Sequence, residues 1–230
     1  MRHLLTHTGG TGDIFGPEFE QNRLTLREHS DYVALYGSRG LGFEPGARFE
    51  YSNYGFVLLG AIIEAVSGAS YYDHVRGNVF DPAGMTSTDS LPESDDVPNR
   101  SFGYTRSSPR GNWQPNTDTL PWRGTSAGGG YSTVGDLMRF AEALNSGTLI
   151  SKATLADAAS PQSQEPYGFG LAIQGEGSLR SYGHGGGAPG MNGELRIFPA
   201  LGYVVVSLSN LDPLAATDLV EYFALRMPDR

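Results

Sequence analysis

The sequence predicts an α+β fold in which helices pack on an antiparallel sheet, and three observations predict it. Helical patterning and loops fill the chain up to about residue 160. Beyond residue 165 four short runs, YGFGLAI, SLRSYGH, GELRIFP and YVVVSLSN, are rich in β-branched and aromatic residues and are parted by glycine-containing breaks. Parallel βαβ units are missing, so the strands are expected to be antiparallel neighbours. No internal repeat and no clear linker divides residues 1–230, which read as one domain: 1–160 mainly helical and loop, 165–230 strands and a last helix.

The elements follow in order. The chain opens MRHLLTHTGG, where Leu4 and Leu5 sit among His3, Thr6, His7 and Thr8 and Gly9-Gly10 ends the run. That reads as the last turn of a short buried helix stopped by glycine. Termini are usually polar and exposed, so this opening resembles interior sequence. Residues 11–50 are loop-rich, with a polar helix-like stretch at 24–36 and a turn at Pro45-Gly46. In YSNYGFVLLGAIIEAVSG nearly every position from 54 to 66 is apolar, which predicts a helix buried on most faces and ended by Gly68. A second helix is expected over 70–79, stopping before Pro82. Residues 87–122 hold much of the Pro, Ser, Asn and Asp and predict a long irregular excursion. Thr133 reads as the N-cap of a helix through Leu144, with Asp136 at the capping-box position. Residues 213–226 predict a final amphipathic helix.

Composition narrows the function. The chain is 39% hydrophobic and 18% charged, with a net charge of −9 and no basic stripe. Binding to nucleic acid or an anionic membrane is disfavoured, and no apolar run is long enough to span a bilayer. With no cysteine there is no disulfide, thiolate metal site or cysteine nucleophile, and the compartment is undecided. No signal peptide precedes the first helix. Among 16 basic residues only Lys152 is a lysine, so a mechanism needing a catalytic lysine has one candidate. No cofactor is expected.

Two stretches could carry chemistry. Tyr51-Ser52-Asn53 stands at a helix start: a tyrosine hydroxyl passes protons when a cation lowers its pKa, and an asparagine amide both donates and accepts. His184-Gly185-Gly186-Gly187 stands at a strand end, where bare backbone lets substrate approach and offers an N–H to a developing oxyanion. Each is also readable as ordinary structure, the first as a helix cap and the second as a flexible turn.

Taken together, LLTHTGG, PGARFEYSNYGFVLLGAIIEAVSG, AGGGYSTVGDLMRFAEAL and YGHGGGAPGMNGELRIFPALGYVVVSLSN resemble the serine β-lactamase-like family, in its order and roughly its spacing. That group joins class C β-lactamases, low-molecular-weight penicillin-binding proteins, family VIII esterases and D-amino-acid peptidases or amidases. The resemblance implies a β-lactamase/transpeptidase-like fold and a cleft where three motifs meet: Ser-x-x-Lys, Tyr-x-Asn and a Lys-Thr-Gly-like strand. Tyr51 and Asn53 match the second, and His184, Gly185 and Gly186 the third, with Gly187 N–H in the oxyanion-hole position. The first motif is absent, because Lys152 has Leu149 three residues before it. The chain is therefore expected to be the C-terminal portion of such a hydrolase, without the first strands and the nucleophile helix. Alone it is expected to be inactive, since a serine needs a base to become a nucleophile. His184 stands where β-lactamases carry lysine. A histidine lacks the fixed positive charge of a lysine, and by the resemblance it points to ester or amide substrates before β-lactams. The family is often periplasmic or secreted. An exposed sheet edge is expected to promote self-association.

Other readings compete. A non-catalytic binding module would keep the cleft without the nucleophile. Gly124-Thr125-Ser126-Ala127-Gly128 matches the G-x-S-x-G elbow of α/β-hydrolases, but lacks the strand before and helix directly after that the elbow needs. Ser126 is expected instead in a loop bordering the cleft. His3 and His7, four apart, have no third metal ligand, and His7 is expected to satisfy a buried hydrogen bond. Asp95-Asp96 reads as a solvated loop. Trp113, Trp122 and Tyr104 would either line the cleft or pack the long excursion.

Overall fold

The computed structural model describes residues 1–228. Its first part is a set of short helices around one long one. α1 (Arg2–Leu5) has no buried residue and ends at Thr6, whereas Thr6, His7 and Thr8 just after it are buried. The opening is thus buried in its loop, not its helix, because those polar side chains find partners inside. Of the polar stretch expected at 24–36 only the latter part is helical, as α3 (His29–Tyr36), started by a capping box between Glu28 and Asp31, and a further helix, α2 (Pro17–Asn22), precedes it in the span expected as loop.

α4 (Asn53–Ser67) begins at Ser52, whose Oγ accepts from the Gly55 amide at 2.8 Å, and ends at Gly68 in the left-handed region. Tyr54 and Val57 pack with Ile14, Phe19, Leu26, Tyr32 and Tyr36 in one apolar cluster. The last turns of α4 are not buried on most faces, and Val66 is fully out in solvent at 82% exposure. The next helical run passes Pro82 rather than stopping before it. α5 (Tyr71–Val75) continues through a π turn at Arg76–Phe80 into α6 (Asp81–Ala83), ended by Gly84. Pro82 falls directly after the π turn, at the first positions of α6.

Residues 87–122 are irregular as expected, apart from a two-residue ladder of β1 (Tyr104–Thr105) with β2 (Gln114–Pro115) and one 3₁₀ turn. α7 (Val134–Ser146) is capped by Thr133, which accepts from the Asp136 amide at 3.1 Å. The Asp136 carboxylate does not close a capping box; it accepts from Ser87 N–H and Thr88 Oγ1, pinning the loop after α6. α8 (Lys152–Ala158) follows, with Lys152 exposed at its start.

The four expected strands form one antiparallel sheet in chain order: β3 (Ala172–Gln174), β4 (Ser181–Ala188), β5 (Met191–Phe198) and β6 (Tyr203–Ser209). Residues paired across antiparallel strands share a face. Tyr182 with Ile197 and His184 with Leu195 face one way, where Tyr182 and Ile197 join Ala141 and Leu144 of α7 and Leu155 of α8 in a second core. Gly185 with Glu194 and Gly187 with Asn192 face the other, under α9 (Ala215–Ala224). Asn192 Oδ1 caps that helix by accepting from Ala216 N–H at 2.7 Å and Thr217 N–H at 3.0 Å.

Candidate active site

The glycine run is strand, not a flexible turn. β3 pairs only with Ser181, Tyr182 and Gly183, so beyond that point β4 has β5 on one side and no strand on the other among the described residues. The chain reverses only at 189–190, after the glycines. Packing requires the missing side chain at Gly185, where a Cβ would lie 1.8 Å from Glu194 Oε2. The result is a length of strand edge carrying no side chain except that of His184.

That edge borders a cleft of about 440 Å³ lined by Tyr51, Tyr167, Gln174, His184, the three glycines, Asn192, Glu194 and Thr217. Among the described residues no lysine or arginine lines it, and the carboxylate of Glu194 is paired with buried Arg196 at 3.1 Å. Tyr51 reaches it from the start of α4, its ring stacked on His7 at 4.0 Å and 6.2 Å from the ring of His184. The two ends of the motif pair, 133 residues apart in sequence, therefore meet. No cation lowers the Tyr51 pKa. Burial, then the Asp13 carboxylate, push it above the usual phenol value, so Tyr51 holds its proton at neutral pH. Asn53 is set back from the cleft lining, its Nδ2 donating to both Asp13 oxygens at 3.0 and 3.2 Å.

Sequence reasoning missed Tyr167, which precedes β3. Its hydroxyl lies 3.1 Å from His7 Nε2 and 3.0 Å from His184 Nε2, joining the first segment of the chain to the glycine strand. No local signal marks it, because its partners lie 160 and 17 residues away. His7 does satisfy a buried hydrogen bond, accepting from Ser52 N–H at 3.1 Å through Nδ1, while His3 Nδ1 meets Thr8 Oγ1 at 2.9 Å. Burial, followed by the nearby His184, lowers the His7 pKa to about 4.

Ser126 sits in an unforeseen constellation. His29 Nε2 lies 2.9 Å from its Oγ, and His29 Nδ1 lies 3.2 Å from Glu64 Oε1, the Ser–His–carboxylate order of a hydrolytic triad. Yet Ser126 Oγ also donates to the Phe56 carbonyl of α4 at 2.7 Å, and His29 is wholly buried. None of the three lines the cleft. The arrangement clamps the 124–130 loop to α4, and the antiparallel sheet removes the α/β-hydrolase alternative. The aromatic residues of the excursion do not line the cleft either: Trp113 and Trp122 stack under Arg106 and Arg27, and Tyr104 lies in the β1–β2 ladder.

An antiparallel sheet backed by a C-terminal helix, with a tyrosine at the start of an apolar helix facing a glycine strand edge, defines the β-lactamase/transpeptidase-like class of serine hydrolase folds. The β-lactamase family model matches residues 1–226, and the chain belongs to that family. It is 33% identical over 215 residues to penicillin-binding protein 4* of Bacillus subtilis, covering 83% of this chain and 46% of that one. The chain thus spans about half the length of that curated relative. Among solved structures, a penicillin-binding protein from Bacillus halodurans superposes with a TM-score of 0.89 at 30% identity, over 98% of this chain and 73% of that one. A D-amino acid amidase from Ochrobactrum anthropi, solved with L-phenylalanine amide, superposes with a TM-score of 0.78 at 25% identity, over 98% and 71%.

Proposed function

We propose that these residues form the proton-donating and substrate-orienting side of a cleft that hydrolyses esters or amides, D-amino-acid amides included, through an acyl-enzyme. The carrying observation is a side-chain-free strand edge beside a protonated tyrosine, in a cleft whose lining among the described residues holds no lysine or arginine. Such an edge pairs with the backbone-like amide of a substrate. Gly187 N–H supplies the hydrogen bond that strengthens as the carbonyl oxygen takes on charge. Tyr51, holding its proton, donates to the departing amine or alkoxide. Asn53 stands behind the cleft lining with its Nδ2 committed to Asp13, and supports the start of α4 that carries Tyr51. A carboxylate on the substrate meets no lysine or arginine among the described lining residues, which supports neutral esters and amides over β-lactams. The nucleophile is not among these residues, since Ser-x-x-Lys occurs nowhere in the 230.

Titration of the ¹⁵N-labelled chain with phenylalanine amide and, separately, with phenylalanine tests this reading. The amide is expected to shift the Gly185, Gly186 and Gly187 resonances at concentrations where the free acid does not. The chain is also expected to stay unmodified in intact-mass spectra after exposure to a fluorophosphonate. A preference for the acid, no response to either, or a fluorophosphonate adduct would overturn it.

A further inference from the structure

Five side-chain and backbone groups beside the cleft form one unbroken line of four hydrogen bonds. Ser52 N–H contacts His7 Nδ1 at 3.1 Å, His7 Nε2 contacts Tyr167 Oη at 3.1 Å, Tyr167 Oη contacts His184 Nε2 at 3.0 Å, and His184 Nδ1 contacts Gly185 O at 2.6 Å. The line begins at an amide, which can only donate, and ends at a carbonyl, which can only accept. Those two ends assign every proton between them. His7 Nδ1 must hold a lone pair, so a neutral His7 carries its proton on Nε2 and donates it to Tyr167. His184 Nδ1 must carry the proton it gives to Gly185, so a neutral His184 holds a lone pair on Nε2. Tyr167 then accepts from His7 and donates to His184. No group is left unsatisfied and no hydroxyl is asked to donate twice.

We propose that His7 and Tyr167 are positioning residues that hold His184 as a neutral Nδ1–H imidazole with both ring nitrogens engaged. His184 then offers a substrate neither a free nitrogen nor a positive charge. Its contribution is to fix the Gly185 carbonyl, and with it the strand edge on which substrate is read. Its significance for substrate choice rests on the reading above. The tautomer itself is a property of this chain, measurable whether or not the chain ever meets a nucleophile.

The surroundings agree. His7 and Tyr167 are 1% and 6% exposed, so water does not compete for their protons. Protonating His184 on Nε2 would turn an acceptor into a donor against a Tyr167 hydroxyl already receiving a proton from His7. That hydroxyl would then need a new acceptor in an interior formed by the rings of His7, Phe49 and His184. Protonating His7 would instead drive an N–H against Ser52 N–H.

Long-range ¹H–¹⁵N correlation spectra of the ¹⁵N-labelled chain at neutral pH test the assignment. The two imidazoles are expected in opposite tautomers, His7 protonated on Nε2 and His184 on Nδ1. Finding His184 as the Nε2–H tautomer or as imidazolium would overturn the proposal. Tyr167→Phe, which keeps the ring and removes the hydroxyl, is expected to abolish the pure Nδ1–H signature of His184. Retention of that signature in a folded Tyr167→Phe variant would remove Tyr167 from the role. His7→Asn can still accept from Ser52 N–H but cannot reach Tyr167, and is expected to weaken the signature without abolishing it; an unchanged signature would remove His7. If Tyr167→Phe does not fold, the unaltered chain and His7→Asn still decide. Opposite tautomers with no preference for phenylalanine amide would sink the functional reading and leave the relay standing, and the converse result would do the reverse.

Discussion

His7 couples the cleft to acid stability. Its folded-state pKa is lowered from 6.5 to about 4, chiefly by burial and then by the neighbouring His184. Between those values the unfolded chain binds a proton that the folded chain refuses, so stability falls as pH drops through that window and is fully present above 6.5. At about 1.4 kcal/mol per unit of pKa, the loss attributable to His7 is on the order of 3 kcal/mol. Buried His29, also lowered by burial, adds a loss of the same sign. His7 occupies a left-handed backbone conformation (φ 53), which asparagine tolerates better than most residues. His7→Asn should therefore fold and show a flatter slope of unfolding free energy from pH 7 to 4.5 in urea titrations. A variant whose slope equals that of the unaltered chain would show that His7 protonates freely in the fold.

At the scale of elements, α4 is held against the 124–130 loop by the absence of a side chain at Gly60. A Cβ there would lie 2.3 Å from Ser126 Oγ and 2.4 Å from His29 Nε2. Alanine gains about 1 kcal/mol of helix propensity over glycine, but overpacking of this kind costs about 1–3 kcal/mol, and it also parts a buried hydrogen-bonded cluster. Gly60→Ala is therefore expected to destabilise the fold by about 2 kcal/mol net. Gly77→Ala, whose Cβ would meet open space, should be neutral or slightly stabilising. Equal chemical-denaturation midpoints for the two variants would contradict the clamp. The same region shows what sequence can and cannot disclose. α4, α7 and the four strands were legible because caps, apolar runs and β-branched runs are local. Tyr51 and the glycine strand were legible because their order and spacing repeat a family pattern. The His29–Glu64–Ser126 clamp was not, since it joins residues 35 and 97 apart with no shared periodicity. The extent of the glycine strand, through Ala188 rather than ending at His184, was hidden for a related reason. Its glycines look like a turn along the chain, but Gly185 and Gly187 are required by Glu194 and Pro213, which only folding brings near.

At the scale of the whole molecule, the sheet order β3-β4-β5-β6 leaves two edges of different character. The glycine edge of β4 looks into the cleft and is flanked by Tyr51 and Tyr167. β6 has no strand beyond it among the described residues, and Tyr203, Val204, Val205, Val206 and Leu208 give it high β-propensity with no charge and no proline. Natural edge strands are usually blunted by a charge, a bulge or a proline, and this one has none of the charges or prolines that would do so. Leu219, Tyr222, Phe223 and Leu225 of the neighbouring C-terminal segment are each about half exposed or more, adding apolar surface beside the edge. Against association stands the net charge of −9, whose repulsion between copies acts over about 10 Å at 0.1 M salt and is screened above it. Self-association through β6 should thus rise with protein concentration and, unlike an ion-paired interface, with salt. Light scattering across a salt series is expected to show the weight-average mass climbing. Leu208→Lys, which places a charge on the exposed strand, should hold the chain closer to monomer at the same concentration. A constant monomer mass throughout, or association that weakens with salt, would show that β6 is not the contact.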